Sequence, residues 1–266
     1  MTKYLLCALL CGHLAIPTAH AAISAKEVMA KNEEARRVKS MQSSAKLVTT
    51  GPSGEKKKEF EWWRELTADS VHYNTLTRFR SPAEVRGEGI LFQEKGPGET
   101  EVQLYLPAYK KIRRVESQQQ SGSFMGSEFS YSDIATPKAN DFTYKLVKEE
   151  PCPGETAVKC FVVESIPATE EIKESTGTSK SLKWVRQDNF MDTRGEYWNE
   201  KGELWKRMEA TNIKKVDVKE NKWLAHQIKM ENLKSGRATL LQFDEVKVNQ
   251  DIQDSIFSVQ NLSREK

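Results

Sequence analysis

Three short patterns in this chain hold residues that could carry out acyl transfer: Ser43-x-x-Lys46, Tyr197-x-Asn199 and Lys234-Ser235-Gly236. They follow the order used by serine enzymes in which a lysine activates the nucleophile. That chemistry needs the serine at the start of a buried helix with the lysine one turn on, so that the amine reaches the hydroxyl. Here Lys46 runs into "LVTTGPSG", which reads as a strand and a turn, so the pattern lacks its context. The two histidines beyond residue 21, His72 and His226, fall on separate strand segments, and no spacing of His, Cys and carboxylate resembles a transition-metal site. No Asp-rich loop suggests calcium. In "GSFMG" it is Phe124 that stands where a nucleophile elbow needs its serine, and no glycine loop is built to cradle a phosphate. The expectation is a protein that is not an enzyme, with no catalytic residue, metal or cofactor.

The remaining reactive residues are cysteines. Cys7 and Cys11 lie in an N-terminal segment composed of Lys3, an apolar run from Leu5 to Ile16, and Ala19-His20-Ala21, the three regions of a secretory signal peptide. This pattern predicts a leader over residues 1–21 and one exported domain over residues 22–266. The apolar run is shorter than the ~20 residues that cross a bilayer, and no later stretch approaches that length, so no stable membrane span is expected. Leu9-Leu10 precede Cys11 where lipoprotein processing needs a small residue, which argues against lipidation there. Cys152 and Cys160 are the pair left to the exported chain. In an oxidising compartment they are expected to form a disulfide across the "PGETAVK" hairpin, the alternative being two free thiols.

The leader takes one lysine and no acid, which leaves 40 basic against 38 acidic residues, spread evenly. No basic stripe marks a nucleic-acid partner. The run Glu55-Lys56-Lys57-Lys58 beside "GPSG" reads as a solvated hairpin end.

What must position any site is a sheet. Ser24 and Glu27 form a capping-box pattern, followed by Ala25, Val28, Met29, Ala35, Val38 and Met41 at roughly helical spacing, so one amphipathic helix is expected near the N-terminus. After Met41 the apolar period becomes two, from "AKLVTT" and "KEFEWWREL" through to "KWLAHQIKMENL" and "RATLLQFDEVKVN". Counted with the split at "NEKG", this gives about eleven or twelve antiparallel strands, and a twisted sheet of that size must curl or close. The predicted fold class is mainly β: a single curved antiparallel sheet, a barrel or an unclosed half-barrel, with an N-terminal helix. Phe60 and Trp62 alternate with Glu59 and Glu61, and Leu104 and Leu106 with Gln103 and Tyr105, so these four apolar side chains are candidates for a concave, ligand-binding lining. In "KWLAHQIKM" the alternation slips at His226.

Three blocks carry a resemblance. "FRSPAEVRGEGILF" (79–92), "LYLPAYKKIRRV" (104–115) and "GSFMGSEFSYSD" (122–133), with the closing "DSIFSVQNLSR" (254–264), resemble the LolA-like outer-membrane lipoprotein-sorting family, close to its branch encoded beside lipid-exporting permeases. The resemblance implies an unclosed antiparallel barrel whose apolar inside carries acyl chains through the periplasm, with the acylated lipoprotein or lipid received from an inner-membrane permease and passed to an outer-membrane acceptor. Under it, the mid-chain segment reads as a lid with Gly122 and Gly126 for mobility and Phe124, Met125 and Phe129 for apolar cover, or else as a plug tucked into the barrel mouth. Arg113 and Arg114 could latch on Asp133 at the far end of that segment. The implied function is a periplasmic carrier. The alternative is a non-catalytic accessory or scaffold subunit of an envelope transporter with a filled interior, and an envelope-lipid hydrolase is disfavoured for want of a nucleophile with a base beside it.

Overall fold

The computed structural model describes residues 23–96, 99–135 and 138–264. The predicted leader over residues 1–21, with Cys7 and Cys11, lies outside them. Helix α1 (Ala25–Arg36) starts where Ser24 accepts a hydrogen bond from the Glu27 N–H at 3.2 Å. Thirteen strands follow: β1 (Ser40–Gly51), β2 (Gly54–Leu66), β3 (Tyr73–Ser81), β4 (Gly89–Gly96), β5 (Glu99–Leu106), β6 (Lys111–Val115), β7 (Phe142–Cys152), β8 (Glu155–Pro167), β9 (Lys180–Arg186), β10 (Asp192–Trp198), β11 (Leu204–Asp217), β12 (Lys222–Asn232) and β13 (Arg237–Val248). Two short helices interrupt them, α2 (Tyr131–Ile134) and α3 (Glu170–Thr176), and a third, α4 (Val259–Leu262), follows β13.

All thirteen strands form one antiparallel sheet in the order β6-β5-β4-β3-β2-β1-β13-β12-β11-β10-β9-β8-β7. Each neighbour is also a sequence neighbour except β1 and β13, which join the first and last strands at the middle of the sheet. The sheet is not closed: β6 and β7 are its two edges. Because they are consecutive in sequence, the connection between them must travel from one edge to the other, and it does so across the concave face.

The expected architecture is therefore present, with three differences in detail. The thirteenth strand arises because Pro107-Ala108-Tyr109 form a 3-10 turn that divides "LYLPAYKKIRRV" into β5 and β6, where the sequence reads as one run. Helix α1 stops at Arg36, before Val38 and Met41, which bury on the strand side instead; Arg37 already has extended backbone at φ −76° and ψ 109°. Helix α3 was not anticipated, although Thr169 as N-cap and Gly177 in the left-handed conformation at its end mark both of its limits.

The concave face carries the main core, including Phe60, Phe79, Phe92, Leu241 and Phe243. On the convex face Leu76, Leu91 and Tyr105 are covered by Phe257 and Leu262 from the C-terminal segment. Arg78 clamps that segment by donating to the carbonyls of Asn261 (2.9 Å) and Arg264 (2.6 Å). Gly89 makes room for it, since a Cβ there would stand 2.8 Å from Leu262 Cδ1. Helix α1 packs Val28 and Met29 against Phe161, Val163 and Val185 of β8 and β9. Cys152 and Cys160 are bridged (S–S 2.01 Å), as expected of the hairpin. At the slip, Asn212 of β11, which falls between the Thr211↔Gln227 and Ile213↔Ala225 pairs and so opposite His226, takes a left-handed φ of 52°.

Candidate binding cavity

The concave face is divided by the segment that joins the two sheet edges. At one end Phe124, 0% exposed, enters a cluster of aromatic rings with centroids 6.5 Å from Phe60, 6.2 Å from Phe79, 6.2 Å from Phe92 and 5.7 Å from Tyr131. It fills that end as a plug. Met125 follows in a left-handed conformation (φ 53°), and its carbonyl accepts from Lys58 Nζ at 2.9 Å.

Charged contacts fix this segment, but they differ from the expected latch. Asp133 caps α2, accepting from the Ser130 N–H at 2.8 Å, and lies 3.7 Å from Lys206 Nζ. Arg114 is on an exposed edge strand with Glu116 at 3.7 Å, and Arg113 shares that exposed strand. The residues that hold the segment to the sheet are instead Glu128 and Arg237, 3.0 Å apart, with Glu128 also accepting from Asn232 and its N–H donating to Thr239 Oγ1. Arg237 donates in addition to the Gly126 carbonyl at 2.9 Å.

Beyond the plug the concave face stays open as a cavity of about 270 Å³, roofed by the end of α1 and by residues 129–135. Its sheet-side lining is apolar: Met41, Trp62, Met208, Met230, Leu241 and Phe243. Trp62 stands edge-on to Phe243 at 5.4 Å and 88°. Of the candidates read from sequence, Trp62 and Phe129 line this space. Phe60, Leu104, Phe124 and Met125 belong to the packed core beside it, and Leu106, half-buried at the end of β5, is outside the lining.

The other end of the cavity is polar, and sequence reasoning missed it. Register places two rows side by side across β8, β9 and β10: Val163, Lys183 and Gly195, then Ser165, Ser181 and Tyr197. The first row continues through Gly195↔Met208 and Met208↔Met230, so the stem of Lys183 leads straight into the apolar lining. Gly195 has no side chain, and the Tyr197 phenol occupies that space, 2.8 Å from where a Cβ would be. Burial pushes the Tyr197 hydroxyl well above its ordinary pKa, and the nearby carboxylates of Asp133 and Asp192 push the same way, so it stays protonated. Burial pushes the Lys183 ammonium down, opposed by Asp192 and reinforced by Arg36.

Most of the other lining charges are satisfied. Glu94 pairs with Lys138 (2.6 Å) and Arg64 (3.5 Å), and the Arg64 guanidinium stacks on Tyr73 at 4.1 Å. Arg37 pairs with Glu33 at 2.7 Å. Asn32, 0% exposed on α1, donates to Asp192 and to the Phe190 carbonyl while accepting from Arg36. No group of residues that could hold a metal ion, and no helix long and apolar enough to cross a membrane, occurs among the described residues.

This arrangement offers an apolar slot with a polar end and a plug beside it. The family model that matches, described as "-like: Uncharacterized protein", covers residues 72–264. No curated protein sequence matches significantly. Among solved structures, a domain described as that of an outer membrane lipoprotein-sorting protein from Vibrio parahaemolyticus is similar at 23% identity, with 90% of this chain and 98% of that one covered and a TM-score of 0.82. A DUF1329 family protein from Desulfovibrio piger is similar at 22% identity over 90% of this chain and 97% of that one, with a TM-score of 0.83. A LolA superfamily protein from Nitrosomonas europaea shares 22% identity over 90% and 100%, with a TM-score of 0.70. At these identities the likeness establishes the fold, which is LolA-like.

Proposed function

The chain belongs to the family whose model spans residues 72–264, and we propose that it is a non-catalytic carrier that shields the acyl chain of a lipid or lipoprotein on its way across the periplasm. The observation that carries this reading is the cavity of about 270 Å³ between α1, the connecting segment and the Met- and aromatic-lined sheet. Methionines suit a lining that must accept chains of varied shape, because the thioether is flexible and polarizable. Each methylene moved from water into such a lining gains about 0.8 kcal/mol, so a dozen gain roughly 10 kcal/mol. A chain held that firmly leaves only for another apolar site. The carrier therefore works between partners, an inner-membrane permease as donor and an outer-membrane acceptor, and the predicted leader over residues 1–21 would bring it to them.

The plug at Phe124 is the observation that favours the second reading, an accessory subunit with a filled interior. Native mass spectrometry of protein expressed with its leader and purified without detergent separates the two. The carrier arrives with an acyl lipid that organic extraction removes and added lipid restores. A protein that is bare as purified and takes up no added lipid is the accessory subunit.

A further inference from the structure

We infer that the polar end of the cavity is an anion seat, in which Lys183 and Arg36, with the hydroxyls of Tyr197, Ser165 and Ser181, receive the negatively charged head group of a single-chain lipid. The inference rests on the carrier reading and adds to it which acyl compounds are taken.

Three observations on different groups converge. First, five cationic and three acidic side chains line the cavity, an excess of two positive charges. The two cations that lack an ion pair among the described residues are Lys183 and Arg36. Arg64 and Lys138 share Glu94, and Arg37 has Glu33. Arg36 instead donates to the Asn32 carbonyl and side-chain oxygen at 3.3 and 3.0 Å. Two like charges held near each other in an interior are costly without a counter-ion. Secondly, the acids in the lining are spoken for: Asp192 accepts from Asn32 at 3.2 Å, and Asp133 caps α2 and faces Lys206. They moderate the field at Lys183 without forming an ion pair with it. Thirdly, Ser165, 2% exposed, lines the cavity with a hydroxyl that has no hydrogen-bond partner among the described residues, in register with Ser181 and Tyr197. A buried polar atom of this kind calls for a partner supplied by a ligand.

Geometry then sets the orientation. Lys183 lies one strand from Gly195 and two from Met208, so an anion on its ammonium sends its chain along Met208 and Met230 towards Trp62 and Phe243. Carboxylate and monoalkyl phosphate share the needed chemistry: a compact, hydrogen-bonding negative charge at the end of one chain.

The test is competition for the delipidated full chain against an environment-sensitive acyl probe by tetradecanoate, tetradecyl phosphate and tetradecanol, in wild type, Lys183→Met and Lys183→Arg. A hydrogen bond to a charged group that is buried is worth a preference of at least about tenfold for the better anion over the alcohol. Wild type should show that preference, Lys183→Met should lose it and Lys183→Arg should retain most of it. The better of the two anions identifies the head group. Replacing a half-buried charge with an apolar side chain of similar length is commonly tolerated, and a thermal melt of each variant confirms the fold. Equal affinity of all three compounds in wild type, or an undiminished preference in Lys183→Met, overturns the anion seat and leaves the carrier standing. Failure of all three compounds, and of the probe, to bind wild type overturns both.

Discussion

The phenol of Tyr197 lies over Gly195, so that a Cβ at residue 195 would stand 2.8 Å from its hydroxyl oxygen and 3.0 Å from two ring carbons. The contact explains how a tyrosine on β10 reaches back beside Lys183, the residue that faces Gly195 across the register. Gly195→Ala should therefore displace the ring and cost about 1–3 kcal/mol, the usual range for overpacking. Tyr197→Ala in the same chain should recover part of that cost, giving a coupling on the order of 0.5–3 kcal/mol in a double-mutant cycle of urea melts. Strictly additive effects would place the ring elsewhere.

The ring of Phe124 closes one end of the half-barrel among Phe60, Phe79, Phe92 and Tyr131. Phe124→Ala is expected to lower the unfolding free energy by about 3–5 kcal/mol, the cost of truncating a buried phenylalanine. A loss below about 1 kcal/mol in denaturant titration would mean that the ring is a loose cover.

Cys152 and Cys160 close a short hairpin loop of separation 8. On the chain-entropy account, replacing both with alanine should cost about 2–3 kcal/mol while leaving the circular dichroism spectrum unchanged. Ready labelling of both thiols in the native, unreduced protein would contradict the bridge.

The pH dependence follows from the lowered pKa of Lys183, set by burial, with Arg36 acting in the same direction and Asp192 and Asp133 in the opposite one. Tyr197 stays neutral throughout, because its own pKa is raised. As pH rises through the folded-state value, below the ordinary lysine range, the ammonium loses its charge and the preference for carboxylate over alcohol should fall. In the same window the unfolded chain binds more protons than the folded one, so the stability contributed at this position to ligand-free protein should rise with pH. Melts and competition titrations of wild type and Lys183→Met over a pH series below the ordinary lysine range read both effects. A preference that is flat with pH would exclude the ammonium as its source.

The curved sheet was legible because period-two alternation recurs in nearly every segment, and the places where the backbone departs from it, such as Asn212 and the Pro107 turn, interrupt the pattern without hiding it. Trp62 was legible as lining because a large apolar residue on the inner face of such a sheet has nowhere else to point, and Phe129 because it is one of the apolar residues of the segment that crosses that face. Phe124 and Met125 were assigned to the same space because sequence says that the connecting segment crosses the concave face but not how far along it the ring descends. The polar end was illegible: in "SLKWVRQ" a lysine reads as a solvated face, and only the register with Gly195 and Val163 turns it inward. The latch was misplaced for a reason that the sequence did contain, since Ser130 and Asp133 are spaced as a capping box.

The most direct measurement of the central claim is saturable quenching of tryptophan fluorescence by a brominated fatty acid, compared between wild type and Ala225→Phe. Ala225 lines the cavity, and the larger ring occupies the space assigned to the acyl chain while adding apolar contacts. Trp62 and Trp223 are in the lining to report occupancy. The predicted result is saturable quenching in wild type, weakened at least about tenfold in Ala225→Phe, with the melting temperature of the variant held or raised. Absence of saturable quenching in wild type, or equal quenching in the filled variant, would contradict the claim that this cavity carries the chain.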